Sequence, residues 1–290
     1  MKDFLKLIRV KHWLKNILVF LPIFFSINIL DPKYIKLSIL AFIVFCLSSS
    51  IVYIINDLKD LEKDKNHPIK KERPLASGVI SKNQAILTII ILSIILVITT
   101  VFLYTIVNSI LVFIIPVIYI VMNILYSYIL KDIPIIDVGI IVLGFVLRVM
   151  YGGIVTDIEV SKYLYLMIIF GAFFLGFGKR RNEIIKNGSK SRKSLDLYNK
   201  DFLDKNMYVM LGLAVVSYTL WCVDKSTITR VGNDYLFWTI PIVIIILQLY
   251  SLNIEGNSYG DPIEVILSDK KLIIMSIIYS IIMTIILYVI

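Results

Sequence analysis

The sequence predicts an all-α, polytopic membrane protein with about nine transmembrane helices, and three observations carry that prediction. Of its 290 residues, 58% are hydrophobic and 18% charged, with a mean hydropathy of +0.86; a soluble chain is about half apolar and a quarter charged. The apolar residues come in long uninterrupted runs, and a bilayer core takes about 20 of them per helical crossing. They do not alternate with period two, which argues against an outer-membrane barrel. Nine crossings consume roughly 180 residues. A soluble enzyme, a disulfide scaffold and a disordered tail protein are thereby excluded.

Residues 1–12 are basic and amphipathic, with Phe4, Leu5, Leu7 and Ile8 set against Lys2, Lys6 and Arg9. They read as an interfacial helix on an anionic leaflet, and no cleavable signal peptide is expected. Apolar windows then place membrane helices near 14–30, 36–55, 84–104, 108–127, 134–153, 163–178, 206–223, 235–253 and 272–290. Cys46 and Cys222 both fall inside spans, which argues against a disulfide or thiolate metal site. The net charge of +9 is unevenly spread: 24 of the 30 Lys and Arg lie in the N-terminal segment and the loops after even-numbered spans. The positive-inside rule therefore puts the N-terminus and those loops in the cytoplasm, in a multi-pass protein of the cell membrane. No linker divides the chain, so residues 1–290 read as a single transmembrane domain. Its long, charged cytoplasmic loops, 56–83 and 179–205, are where function is expected.

The first of these loops opens N-D-L-K-D-L-E-K-D from Asn56. If span two continues as a helix at about 100° per residue, with Asn56 at 0°, Asp57 falls near 100°, Asp60 near 40° and Asp64 near 80°. Glu62 projects away, and Lys59 and Lys63 lie to the other side of Asn56. Carboxylates stacked on one stripe repel each other. A divalent cation relieves that repulsion, and hard oxygen ligands suit Mg²⁺, which takes one or two carboxylates, waters and phosphate oxygens. Downstream, Lys70, Lys71 and Arg73 precede a turn at Pro74 and Gly78. Cations beside a metal site suit a polyanion larger than one phosphate, with Lys71 and Arg73 nearest the turn.

Further candidates are Lys15 and Asn16 at the start of span one, and Tyr128, Lys131 and Asp137 around the start of span five. The second long loop opens with Lys179, Arg180 and Arg181, followed by Glu183. Arg148 lies within span five, eleven residues beyond Asp137 and on the same helical face. An intramembrane Arg is either functional or a snorkelling or bracing side chain. His12 and His67 read as structural, and no Ser-His-Asp set, H-E-x-x-H helix or P-loop is present. No nucleic-acid partner is expected, and the sequence is compatible with a homo-oligomer.

At Asn56, Asp57, Asp60 and Asp64 the chain resembles the UbiA superfamily of intramembrane prenyl and lipid transferases, whose first signature is N-D-x-x-D-x-x-x-D after the second span. The resemblance implies that Asp57, Asp60 and Asp64 hold Mg²⁺, and that Asn56 joins them at a diphosphate. R-V-K-H-W-L-K-N (Arg9 to Asn16), Y-S-Y-I-L-K-D-I-P-I-I-D (Tyr126 to Asp137), L-G-F-V-L-R (Leu143 to Arg148), F-G-K-R-R-N-E (Phe177 to Glu183) and G-D-P-I-E (Gly260 to Glu264) are similar to the decaprenyl-phosphate phosphoribosyltransferase branch. Aromatic prenyltransferases carry a second D-x-x-x-D cluster after span six. Here that loop begins with cations, and its acids Asp196, Asp201 and Asp204 come late.

The resemblance thus implies transfer of 5-phosphoribose from 5-phosphoribosyl diphosphate to a polyprenyl phosphate, a cell-wall-precursor type of reaction. Lys71, Arg73 and the Lys179–Arg181 group would clamp phosphates. The alternatives are a prenyltransferase acting from a prenyl diphosphate on an aromatic or other acceptor, and a transporter or flippase. Against the latter, no convincing internal repeat is found. A CDP-alcohol phosphotransferase is argued against because Asp60 is not followed by Gly.

Overall fold

Among the residues that the computed structural model describes (2–67, 70–187, 193–256, 265 and 268–290), every regular element is helical. In chain order the main elements are α1 (Lys2–Leu7), a 3₁₀ helix (Val10–Phe20), α2 (Leu21–Phe25), α3 (Pro32–Lys59), α4 (Leu61–Lys65), α5 (Lys82–Val107), α6 (Leu111–Tyr128) and α7 (Ile136–Thr156). There follow α8 (Lys162–Asn187), α9 (Lys200–Val223), α10 (Lys225–Val231), α11 (Ile240–Glu255) and α12 (Lys270–Tyr288). Eight spans among the described residues are long and apolar enough to cross a membrane: α3, α5 to α9, α11 with the short 3₁₀ helix before it (Tyr235–Thr239), and α12. The chain is a multi-pass membrane protein, as its sequence predicts.

Span one differs in kind from the rest. Instead of a long α-helix it is eleven residues of 3₁₀ helix followed by the five of α2. A 3₁₀ helix rises about 2.0 Å per residue, so the two together extend roughly 30 Å, enough for the hydrocarbon core. Side chains three apart eclipse in this geometry, which lines up Trp13, Asn16 and Val19. Trp13 Nε1 donates to Ser50 Oγ at 3.1 Å. Asn16 Nδ2 donates to Cys46 Sγ and Ser49 Oγ, both at 3.3 Å. Val19 is buried, with its carbonyl pressed against Gly152.

Helix ends follow local chemistry. Asp31 accepts from the Lys33 amide at 2.8 Å and Pro32 starts α3. Ser81 and Gln84 close a capping box on α5, and Asn108 ends that helix in the left-handed region at φ 52°. Asn199 and Asp269 cap α9 and α12.

The chain forms two compact units that interleave in sequence. The first comprises residues 1–24, 28–129 and 147–159, the second 25–27, 130–146 and 160–290. In the first, α3 is the most buried helix, packed by the 3₁₀ helix, α5 and α6 around Val44, Phe45, Leu103, Val112 and Tyr151. Phe45 meets both Tyr119 and Tyr151 edge-on at 5.2 Å. α5 turns Ile90, Ile91, Ile94 and Ile98 outward, as a lipid-facing helix does. Arg148 is buried within this unit: its Nε donates to Asn16 Oδ1 at 2.7 Å and its Nη2 to Tyr119 Oη at 2.8 Å. It braces helices and does not snorkel. The second unit is built on α8 against α9, with Phe174, Phe177, Leu203, Met207, Tyr250 and Ile254 in its core.

Two boundaries depart from the expected ones. α8 runs on to Asn187 and α9 begins at Lys200, so Lys179, Arg180 and Arg181 stand on a helix and the expected loop 179–205 is largely helical. Apolar windows stop at the first cation, whereas backbone hydrogen bonding does not. The Gly260 to Glu264 stretch lies outside the described residues.

A Cβ at Gly152 would sit 2.1 Å from the Val19 carbonyl oxygen, whereas one at Gly139 or Gly212 meets nothing within 4 Å. Gly152→Ala is expected to destabilise by about 1–3 kcal/mol, with Gly212→Ala near neutral. Melting in detergent checks this, and equal melting temperatures for the two variants would contradict the close approach.

Candidate active site

The last turn of α3 carries Asn56 and Asp57, Asp60 caps it, and α4 carries Asp64. The Asp60 amide bonds the Asn56 carbonyl at 2.9 Å and the Asp64 amide bonds the Asp60 carbonyl at 2.8 Å. Helical spacing thus persists although Asp60, at φ −90° and ψ 11°, marks a break. Asp57 and Asp64 are each only 3% exposed and converge on one cation. Arg73 Nη1 lies 3.1 Å from Asp57 Oδ1 and 2.5 Å from Asp64 Oδ2. Arg9 forms a second ion pair with the same Asp57 oxygen. Arg9 is a non-glycine residue in the left-handed region, φ 53°, where α1 gives way to the 3₁₀ helix, and its guanidinium lies 4.8 Å from the Tyr53 ring centroid.

Around this pair, Asn56 Oδ1 accepts from the Ser127 hydroxyl, and Lys59 Nζ donates to the Ser127 carbonyl while lying 4.0 Å from the Tyr128 ring centroid. These contacts tie the acidic end of α3 to the end of α6. Asn16 is fully buried and engaged with Arg148, Cys46 and Ser49; Lys15 is half-buried and Lys71 exposed. Glu62 points outward to Lys65, whose hydrogen bond and charge hold its carboxyl below the usual range. His12 packs against Tyr53, and His67 Nδ1 accepts from the Lys70 amide.

The donor set fits a hard divalent cation. Two buried carboxylate oxygens face the same cationic nitrogen, and Mg²⁺ typically takes one or two carboxylates and completes its shell with water and phosphate. Among the described residues no three His, Cys, Asp or Glu side chains form a ready-made ligand cluster.

A second constellation belongs to the other unit. Asp137, fully buried at the start of α7, pairs with Arg180 Nε at 2.7 Å and accepts from Tyr198 Oη at 2.8 Å. Tyr198 in turn accepts from the amide of Ile135, a β-branched residue at φ 68°. Arg180 also pairs with Glu183, and Arg181 with Asp204. Asn182 Nδ2 donates to the Ile254 carbonyl at 2.9 Å. Lys131 and Lys179 are half-buried, while Asp196 and Asp201 are exposed. Arg180 and Arg181, expected as part of a cationic cluster, are thus paired with acids, of which Asp137 and Asp204 lie far off in sequence.

Arg9, Ser127 and Tyr198 are the members that sequence reasoning leaves out. Arg9 and Ser127 each fall within one of the resembling stretches, but nothing in the spacing singles them out, and Tyr198 lies in none of them. Burial pushes the Tyr198 phenol above its ordinary value, so it stays a proton donor to Asp137. A raised folded-state value favours folding while the phenol is protonated and costs stability once pH passes the unfolded value of about 10. Tyr198→Phe is expected to lose about 1–3 kcal/mol of stability at neutral pH, with the Ile135 amide and Asp137 left short of a partner. It is also expected to flatten the loss of stability above about pH 10. Melting temperature against pH measures both; an unchanged profile would remove Tyr198 from the network.

The model of the UbiA prenyltransferase family matches residues 19–262. Among curated proteins, the chain is 36% identical to a decaprenyl-phosphate phosphoribosyltransferase from Corynebacterium glutamicum, over 94% of this chain and 82% of that one. It is 32% identical to a protein of the same name from Mycolicibacterium smegmatis, over 93% and 88%. Among solved structures, a UbiA homolog from Archaeoglobus fulgidus bound to GPP and Mg²⁺ superposes with a TM-score of 0.70 at 19% identity, covering 99% of this chain and all of that one.

Proposed function

Since the chain belongs to the UbiA prenyltransferase family, we propose that it transfers 5-phosphoribose from 5-phosphoribosyl diphosphate to a polyprenyl phosphate, releasing diphosphate. The observation that carries this reading is the buried Asp57–Asp64 pair converging on one cationic position. Support for the substrates comes from the curated relatives, which are named for that activity on decaprenyl phosphate.

Asp57 and Asp64 would hold Mg²⁺, which when bound supplies positive charge to the leaving diphosphate. Arg73 and Arg9, already beside the carboxylates, offer guanidinium forks to diphosphate oxygens. Asn56 and Lys59, fixed through Ser127, keep the acidic end of α3 in place. The bond from the anomeric carbon to the diphosphate oxygen breaks with its electron pair leaving on diphosphate. A lipid phosphate oxygen forms the new bond from the opposite face, with inversion. That acceptor is an anion at neutral pH, so no general base is required, and both histidines are occupied by packing and turn contacts.

Lys15, Lys71, Tyr128, Lys131 and Lys179 would contact substrate phosphates. Arg180 would serve through its ion pairs with Asp137 and Glu183, and Arg181 through its pair with Asp204. The charge asymmetry of the loops supports a reaction on the cytoplasmic side of the cell membrane.

Offered both 5-phosphoribosyl diphosphate and prenyl diphosphates, the purified protein is expected to yield a phosphoribosyl lipid detectable by mass spectrometry. Product formed only from prenyl diphosphates would instead establish the prenyltransferase alternative. Asp57→Asn and Asp64→Asn should each lower turnover by about 10²-fold or more. 5-Phosphoribosyl diphosphate should raise the melting temperature with Mg²⁺ and much less without it. Stabilisation indifferent to the metal would count against the aspartate site.

A further inference from the structure

The most unusual feature of the aspartate site is where Arg73 stands. A single nitrogen, Nη1, touches oxygens of both Asp57 and Asp64. The two carboxylates are buried, with side chains 4% exposed, while the Arg73 side chain keeps 29% of its surface accessible. Arg9, by contrast, pairs with Asp57 and rests on the Tyr53 ring. Arg73 is therefore the cation that occupies the shared position, and also the one with a route out of it.

We propose that Arg73 is a built-in placeholder for the metal: its guanidinium holds the position between Asp57 and Asp64 in the substrate-free protein, and yields it only when a diphosphate arrives to receive it. This rests on the functional reading above and adds a rule for the order of binding. Two carboxylates buried without a cation would repel each other and pay for desolvation. Arg73 removes that cost while the site is waiting. A metal entering alone must displace it and leave a guanidinium without an anionic partner. A metal entering with diphosphate exchanges one set of ion pairs for another, because the phosphate oxygens accept the fork that the carboxylates release. The acids are thereby kept from binding divalent cations unproductively, and metal and diphosphate binding become mutually reinforcing, with the reciprocity that linkage demands.

The consequence runs against the usual expectation that removing a side chain from an active site weakens what binds there. With Arg73→Met, which removes the charge but retains a flexible chain, the carboxylate pair loses its internal competitor. The full-length protein in detergent, titrated with Mn²⁺ and followed by loss of the free Mn²⁺ paramagnetic resonance signal, reads this without any catalytic turnover. Wild-type protein is expected to bind Mn²⁺ weakly alone, and about tenfold more tightly with inorganic diphosphate present. Arg73→Met is expected to bind Mn²⁺ alone about tenfold more tightly than wild type, and to lose most of the diphosphate enhancement. Arg73→Gln provides a second neutral variant should the first fail to fold. Asp57→Asn should abolish binding in every background.

If the neutral variants bind Mn²⁺ no more tightly than wild type, while wild type shows Asp57-dependent binding with diphosphate, the placeholder role is overturned and the functional reading stands. If no Asp57-dependent Mn²⁺ binding occurs even with diphosphate, both fall together.

Discussion

A carboxylate taken out of water costs several kcal/mol unless a cation accompanies it, and the placement of the polar side chains in this protein follows from meeting that requirement. Asp57 and Asp64 are buried with Arg73 between them, and Asp137 is buried against Arg180; the buried cation Arg148 is met instead by the neutral oxygens of Asn16 and Tyr119. Each pairing constrains backbone that is distant in sequence. Arg73 anchors the turn after α4 to the end of α3, and Arg9 anchors the N-terminal segment to the same carboxylate. The left-handed backbone at Arg9 is sustained by that pairing and by the Tyr53 ring.

The same economy explains the 3₁₀ helix. A three-residue repeat stacks Trp13, Asn16 and Val19 into a single narrow ridge, and that ridge meets a groove of small residues. Ser49, Ser50 and Cys46 on α3 accept its polar members, and Gly152 on α7 accepts its backbone. A wider α-helical stripe would not place all three on the same line. Small residues permit close approach between membrane helices, and hydroxyls crossing between helices satisfy polar groups that lipid cannot.

Much of this was legible in the sequence because two strong signals act locally. Long apolar runs mark spans whatever their neighbours, and an acidic repeat at helical spacing brings Asp57 and Asp64 to one face. What was not legible depends on tertiary partners. Asp60 falls on the same projected stripe, but the break between α3 and α4 at that residue is not visible in the spacing. The cations Arg180 and Arg181 look available in sequence, yet Asp137 and Asp204 reach them from 43 and 23 residues away. The hydroxyls of Ser127 and Tyr198 join polar networks only because α6 and the segment before α9 return to the right places. Apolar windows also cannot separate a 3₁₀ crossing from an α-helical one, since composition carries no rise per residue.

The interleaving of the two units has a consequence for how the chain is made. The first unit is completed only by residues 147–159, so Arg148 must find Asn16 at a sequence separation of 132. At synthesis rates of about 5–20 residues per second that interval is roughly 7–26 s. Throughout it, Asn16 has already left the ribosome without its guanidinium partner. The early spans thus spend many seconds in a provisional arrangement. The emergence of the second half of α7 is the event that lets the bilayer-embedded core close. The Asn16–Arg148 contact can form only after the second half of α7 has been made.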